Sequence, residues 1–113
     1  MSEPTITEVF GPGATQDSDT VTFSKSALEE FGLSPDSSNN PEALLLGVIL
    51  YAGKQLSETN RANDRQNRQV TVTQSPYDVL EDPPGSNAYY RRDIVTVIAY
   101  STQPAIPVDL SNY

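Results

Sequence analysis

The sequence of 113 residues contains no cysteine and no histidine. The lack of cysteine excludes disulfides, thiolate chemistry and cysteine-based zinc or iron–sulfur sites. The lack of histidine removes the commonest general base and metal ligand at neutral pH. We therefore expect no catalytic residues, no cofactor and no bound transition metal.

Hydrophobic residues are also scarce, at 36% of the chain, and tryptophan is absent. The longest apolar run, Ala43 to Ala52 with Gly47 inside it, falls short of the roughly 20 residues that a transmembrane helix needs. The first residues, MSEPTITEVF, hold neither a basic stretch nor an apolar segment, so we expect no signal peptide. These features predict synthesis in the cytoplasm and a small core that other molecules help to cover.

The net charge is −8 and is unevenly distributed. Residues 1–60 hold nine carboxylates and two lysines, whereas residues 61–113 hold six carboxylates and five arginines. An acidic chain lacks the basic footprint of a nucleic-acid-binding protein, so we expect no nucleic-acid partner. The asymmetry serves either solubility or electrostatic matching between copies of the chain.

One segment strongly predicts a helix over residues 41–56. Asn40 is a favoured N-cap, Pro41 suits the first helical position, and Glu42 complements the helix dipole. Apolar side chains then occupy every side of the helix instead of one stripe. We therefore expect this helix to be buried all round, as the core of the domain.

Shorter elements are expected before this helix. Alternation predicts strands over Thr5–Phe10 and Thr20–Ser24, separated by the breaker Gly11-Pro12-Gly13. Ser26 and Glu29 have the spacing of a capping box, which predicts a short helix over Ala27–Phe31 that ends at Gly32. Residues 57–67 are almost wholly polar, which indicates an exposed loop or a frayed helix end.

The second half of the chain predicts a long β-hairpin. Alternating residues from Val70 lead to a turn near Pro84 and Gly85, and the return strand covers 88–101. This turn places Asp78 opposite Arg91 or Arg92 and sets Val70 and Val72 against residues 95–100. Pro76 cannot donate to a ladder, which predicts an edge or a bulge at that point.

The predicted fold is therefore α+β, with one mostly antiparallel sheet of about four strands, one main helix and a short second helix. Residues 1–102 form a single domain, and residues 103–113 form an extended C-terminal arm. The arm contains Pro104 and Pro107 but is too apolar for a typical disordered tail, so we expect it to pack on its own sheet or on a neighbour.

Possible reactive sites are better explained as turns and solvated charges. Asp17 and Asp19 lack the further ligands of a calcium loop, and Gly11–Thr15 departs from phosphate-loop patterns. Aromatic, arginine and aliphatic residues near the hairpin turn and in the arm are instead typical of protein interfaces. The candidate interface residues are Tyr89, Tyr90, Arg91, Arg92, Ile106, Val108, Leu110 and Tyr113.

The residue pattern resembles the small accessory structural proteins of tailed phages and phage-derived injection particles. The resemblance covers the strand-like segments TITEVFGPGATQ and DTVTFSK, the helix start NNPEALLLGVIL, the hairpin and the trailing PAIPVDLSNY. It implies a virion component of a capsid, neck, tail or baseplate that contacts copies of itself or other structural proteins. The alternative is a small acidic inhibitor or adaptor that presents negative charge to a basic partner.

Overall fold

The computed structural model describes residues 3–101, 108 and 110–113. The described chain is α+β and consists of short helices, a small ribbon and one long hairpin. In chain order the elements are α1 (Ile6–Phe10), β1 (Thr15–Gln16), β2 (Val21–Thr22), a 3-10 helix (Lys25–Phe31), α2 (Pro41–Ala52), α3 (Glu58–Asn63), β3 (Val70–Glu81), β4 (Tyr89–Ala99) and a second 3-10 helix (Leu110–Asn112).

The first element is a helix, so the strand predicted over Thr5–Phe10 is wrong. Thr5 Oγ1 accepts a hydrogen bond from the Glu8 amide, and the Glu8 carboxylate accepts one from the Thr5 amide, each at 3.2 Å. This reciprocal capping box satisfies two amides that a helix start otherwise leaves unpaired. The capping box favours a helix more strongly than the alternating pattern of these six residues favours a strand.

The following segment forms a two-stranded ribbon and a 3-10 helix. The carboxylate of Asp17 accepts hydrogen bonds from the amides of Asp19 and Thr20, each at 2.8 Å, and so closes the turn between β1 and β2. The 3-10 helix begins at Lys25 behind the N-cap Ser24, earlier than the predicted start at Ala27. It ends at Gly32, whose φ of +94° is left-handed, as expected for a glycine stop.

Helix α2 begins as predicted but ends sooner and is far less buried than expected. The side chain of Asn40 caps the amide of Glu42 at 2.8 Å, and the helix ends at Ala52, with Gly53 as its C-cap, instead of reaching residue 56. Only Gly47 and Ala52 are buried, whereas Leu45 is 64% exposed. The prediction of a helix buried all round is therefore wrong for the single chain.

The core is small because little of the chain packs on α2. Its buried apolar side chains are Ala14, Leu28, Ala52 and Leu56. Leu28 from the 3-10 helix fits against Gly47, where an added Cβ would lie 2.9 Å from Leu28 Cδ1. The absence of a side chain at Gly47 thus permits the close contact that buries Leu28.

Helix α3 occupies the polar segment that was expected to be a loop or a frayed helix end. Ser57 Oγ caps it by accepting from the Asn60 amide at 3.1 Å. Both α2 and α3 pack against β3, and the base of the hairpin is buried there, with Thr71 fully inaccessible.

The long hairpin and its register are confirmed. Asp78 pairs with Arg92, and Val70 and Val72 pair with Ala99 and Val97. The register shifts between Ser75 and Asp78, which is the bulge expected around Pro76.

The α+β class is confirmed, and the residues that the structure describes include four strands, but these strands do not form the one sheet that was expected. Strands β1 and β2 pair with each other only, and β3 and β4 form a second two-stranded sheet. The ribbon has two residues in each strand, which leaves too little backbone to join the hairpin. At the C-terminus, Leu110–Asn112 form a 3-10 turn where extended chain was expected.

Candidate interaction surface

The outer part of the hairpin, residues 77–93, exposes large apolar side chains on both faces; we call it the hairpin tip. The exposed fractions include 63% for Tyr89, 61% for Val79 and 58% for Tyr90. Large exposed apolar patches on a soluble protein mark interaction sites. The hairpin tip is therefore the first candidate surface.

The register divides the candidate residues between the two faces of the hairpin tip. Successive side chains of a strand point to opposite faces. Tyr90 and Arg92 accordingly share one face with Leu80 and Asp78, which lie directly across the ladder. Tyr89 and Arg91 lie on the other face, so the predicted aromatic and arginine residues form two rows and not one.

The two arginines of the hairpin tip are held in place by hydrogen bonds. Arg92 donates to both carboxylate oxygens of Asp78, with Nε 2.8 Å from Oδ1. This bond is the main cause that lowers the pKa of Asp78 below its ordinary value. Arg91 donates to Asp93 at 2.9 Å, and its guanidinium lies 3.9 Å from the centre of the Tyr77 ring.

The turn that ends the hairpin is also ordered by a carboxylate. Glu81 accepts hydrogen bonds from the amides of Gly85 at 2.7 Å and Asn87 at 3.1 Å. The bond from the Gly85 amide is the main cause that lowers the pKa of Glu81. Gly85 has a φ of +84°, a conformation that glycine adopts without strain. The hairpin tip is thus preorganised, which reduces the entropy lost on binding.

A second apolar surface lies on α2 and the neighbouring 3-10 helix, next to the small core. Leu45 and Leu46 are 64% and 44% exposed, and Phe31 of the 3-10 helix, which lines a groove together with Leu46, is 38% exposed. An open groove of about 180 Å³ runs between the two helices, and Leu28, Leu33 and Leu50 also line it. Because the helix over residues 41–56 was expected to be buried all round, this surface was not predicted from the sequence.

The described residues of the C-terminal arm take two different positions. Val108 and Leu110 are 71% and 82% exposed, which fits their assignment as interface candidates. Tyr113 is only 39% exposed and lines a groove of its own chain with Pro4, Val9 and Val70. Ile106, the remaining candidate of the arm, lies outside the described residues.

Buried polar contacts elsewhere have a structural role. Arg68 is 4% exposed and lies 3.7 Å from Glu8, which links the base of the hairpin to α1. The pKa of Glu8 is lowered mainly by its bond from the Thr5 amide. Arg61 stacks on Tyr100, with 3.4 Å between the guanidinium carbon and the ring centre. These groups join elements of the fold.

The part of the chain that the structure describes contains no candidate metal site. Its Asp and Glu side chains form no cluster of three that could hold a metal ion. Asp17 uses its oxygens to close the β1–β2 turn, as described above. No helix among these residues has the length and apolar character needed to cross a bilayer.

Comparison with known proteins gave no similarity to report, because no family model, curated protein or solved structure matches this chain.

Proposed function

We propose that this protein is a non-enzymatic structural subunit that acts through protein–protein contacts within a larger assembly. The observation that supports this most strongly is the exposure of large apolar side chains on the hairpin tip and on α2. At about 25 cal/mol per Å² of apolar surface, covering these residues provides a driving force for association. The single chain leaves these side chains uncovered.

The shape of the chain supports the same proposal. Its radius of gyration is 16.7 Å, whereas a compact domain of about 100 residues has about 13 Å. The 12 residues of β3 span about 40 Å at 3.4 Å per residue. Such a projecting hairpin can reach a neighbouring subunit, which is how an assembly component forms contacts.

We further propose that the assembly is a phage or phage-derived particle, formed in the cytoplasm, in which the chain is a capsid, neck, tail or baseplate component. This part rests on the resemblance given above. An acidic inhibitor would account for the charge of residues 1–60, but it would leave the exposed apolar surfaces without a role.

The test is the retention of the chain in its native particle, followed by gradient sedimentation and mass spectrometry. We expect the double variant Val79→Ser, Tyr89→Ser to fold and to be lost from the particle fraction. The matched control is Val21→Ser on β2, where the side chain is 49% exposed but lies outside the hairpin. Recovery of the native chain solely as a one-to-one complex with a basic soluble protein would contradict the proposal.

A further inference from the structure

The two outer edges of the hairpin differ in how they are protected. On β3, the amide of Val72 donates to the carbonyl of Leu56 at 2.7 Å, and the bulge with Pro76 interrupts the edge. On β4, the described residues provide no backbone partner besides those of β3. Of the features that normally prevent edge pairing, this 11-residue strand lacks proline, lysine and a bulge, although it carries the charged residues Arg91, Arg92 and Asp93.

The register shows which backbone groups of β4 point outward. Tyr100 donates to the carbonyl of Gln69, and the carbonyl of Ala88 accepts from Asp82, so the even-numbered residues between them face β3. The odd-numbered residues consequently direct their amides and carbonyls away from the hairpin. Arg91, Asp93 and Val95 are at the centre of this open edge.

We propose that two copies of the chain pair antiparallel through their β4 edges, about a two-fold axis at Arg92. This inference rests on the proposed function and names a second copy of the chain as the partner of the hairpin. Arg91 then lies opposite Asp93 of the second copy, and Asp93 opposite its Arg91. Each such pair also exchanges two backbone hydrogen bonds, because the amide and the carbonyl of both residues point away from β3.

The charges select this register among those that the edge allows. An axis at Asp93 would place two carboxylates directly opposite each other, which is destabilising. An axis at Ile94 would place Asp93 against Val95 and Arg91 against Val97. At the proposed axis the two Arg92 side chains do meet, but Asp78 of the same chain already neutralises each of them. Arg91 and Asp93 are likewise paired within each chain, and at this axis the two pairs form one cluster of alternating charge.

The aromatic residues also find apolar partners in this register. Tyr90 lies opposite Ile94 of the second copy, and Tyr89 lies opposite its Val95, and such aromatic to β-branched pairs stabilise a sheet. The result is one four-stranded sheet in the order β3, β4, β4, β3. Since an isolated two-stranded hairpin is marginally stable in water, the pairing also stabilises the hairpin tip.

Charge reversal of the full-length chain tests the pairing. Arg91→Asp and Asp93→Arg each place like charges opposite one another in the homodimer, and each should weaken self-association roughly tenfold or more. An equimolar mixture restores every opposite-charge pair, so the two variants should associate with each other as the wild type does with itself. Light scattering over a concentration series measures the masses, and circular dichroism checks that each variant folds.

A cysteine trap tests the position of the axis, because the chain has no cysteine of its own. Opposite residues at a non-hydrogen-bonded pair have Cα atoms about 4.5 Å apart, so Arg92→Cys should form a disulfide dimer on mild oxidation. The matched control is Thr96→Cys on the same face of β4. The two substituted positions then lie eight residues apart along the sheet, roughly 27 Å, so the Thr96→Cys variant should not cross-link.

The inference is wrong if the wild-type chain is monomeric up to about millimolar concentration, or if the two charge variants fail to associate when mixed. It is also wrong if Thr96→Cys cross-links as readily as Arg92→Cys. A wild-type monomer that still sediments with a native particle would overturn the pairing and leave the proposed function standing. If the chain is absent from every particle while the two mixed charge variants still associate, the proposed function alone is overturned.

Discussion

Arg92 and Asp78 face each other across the hairpin and share two hydrogen bonds. The two side chains belong to strands that approach the turn from opposite directions, 14 residues apart in sequence. Their pairing therefore reports on the register of the hairpin just beyond the bulge. Removal of either partner should loosen the hairpin tip without disturbing the small core.

The first prediction concerns the effect of acid on the pair formed by Asp78 and Arg92. The pKa of Asp78 is lowered by its bond from Arg92, so the pair stabilises the fold above the ordinary carboxyl pKa. This contribution is lost as the pH falls through the lowered value. We expect a two-dimensional NMR titration to show Asp78 ionising below the usual range in the wild type and closer to it in Arg92→Ala.

A double-mutant cycle provides the control for that pair. Asp78→Asn and Arg92→Ala should each lower the melting temperature at pH 7, and the double variant should lower it by less than their sum. At a pH well below the lowered pKa of Asp78, where the carboxylate is protonated, the coupling should vanish. Strict additivity at pH 7 would show that the two side chains do not stabilise the hairpin together.

The second prediction concerns the contact between Gly47 and Leu28. Gly47→Val inserts a branched side chain where even a Cβ would lie 2.9 Å from Leu28, and overpacking of this kind costs about 1–3 kcal/mol. Leu28→Ala should cost about 2–5 kcal/mol, because Leu28 is 1% exposed. Urea denaturation measures both values.

The matched control for that contact is Leu45→Ala on the same helix. Since Leu45 is 64% exposed, the change should alter the free energy of unfolding of the single chain by less than about 0.5 kcal/mol. A loss as large as that of Leu28→Ala would mean that Leu45 is a core residue after all.

The third prediction concerns the hairpin turn. Glu81→Ala removes the acceptor for the amides of Gly85 and Asn87, so both amides should exchange with solvent faster. Hydrogen exchange followed by NMR measures the rates. Asp82→Ala removes the neighbouring carboxylate and should leave both rates nearly unchanged; equal acceleration in the two variants would refute a specific role for Glu81.

The fourth prediction concerns the C-terminal arm. Deletion of residues 103–113 should leave a folded chain with weaker association, because Val108 and Leu110 point into solvent. Tyr113→Ala should lower the melting temperature by a few degrees at most, since this side chain lines a groove of its own domain. Circular dichroism and light scattering separate these effects, and unfolding of the truncated chain would show that the arm mainly closes its own domain.

Local signals in the sequence were sufficient to predict the hairpin and the start of α2. Each of these signals acts locally. Asp78 pairs across the hairpin turn, and Pro76 and Asn40 act on adjacent residues, so composition and spacing reveal them. The strand predicted over Thr5–Phe10 failed because the capping box of Thr5 and Glu8 was overlooked; its S/T-x-x-E spacing is a signal that was present in the sequence.

Burial was harder to predict than secondary structure. A helix that is apolar on all sides must be covered by other residues. The sequence does not show whether those residues belong to the same chain or to a neighbouring molecule. Leu45 and Leu46 were assigned to the core for this reason, and the structure leaves them exposed. The open edge of β4 was equally hidden, because it depends on β1 and β2 pairing only with each other.

The most direct test of the central claim is an image of the native complex that contains this chain, obtained by electron cryomicroscopy of particles purified through a tag on the chain. The account predicts several copies in a regular arrangement, with the hairpin tip and the exposed leucines of α2 buried against neighbouring subunits. An isolated chain with both surfaces open to solvent, or one copy bound through the carboxylates of residues 1–60 to a single basic protein, would contradict it.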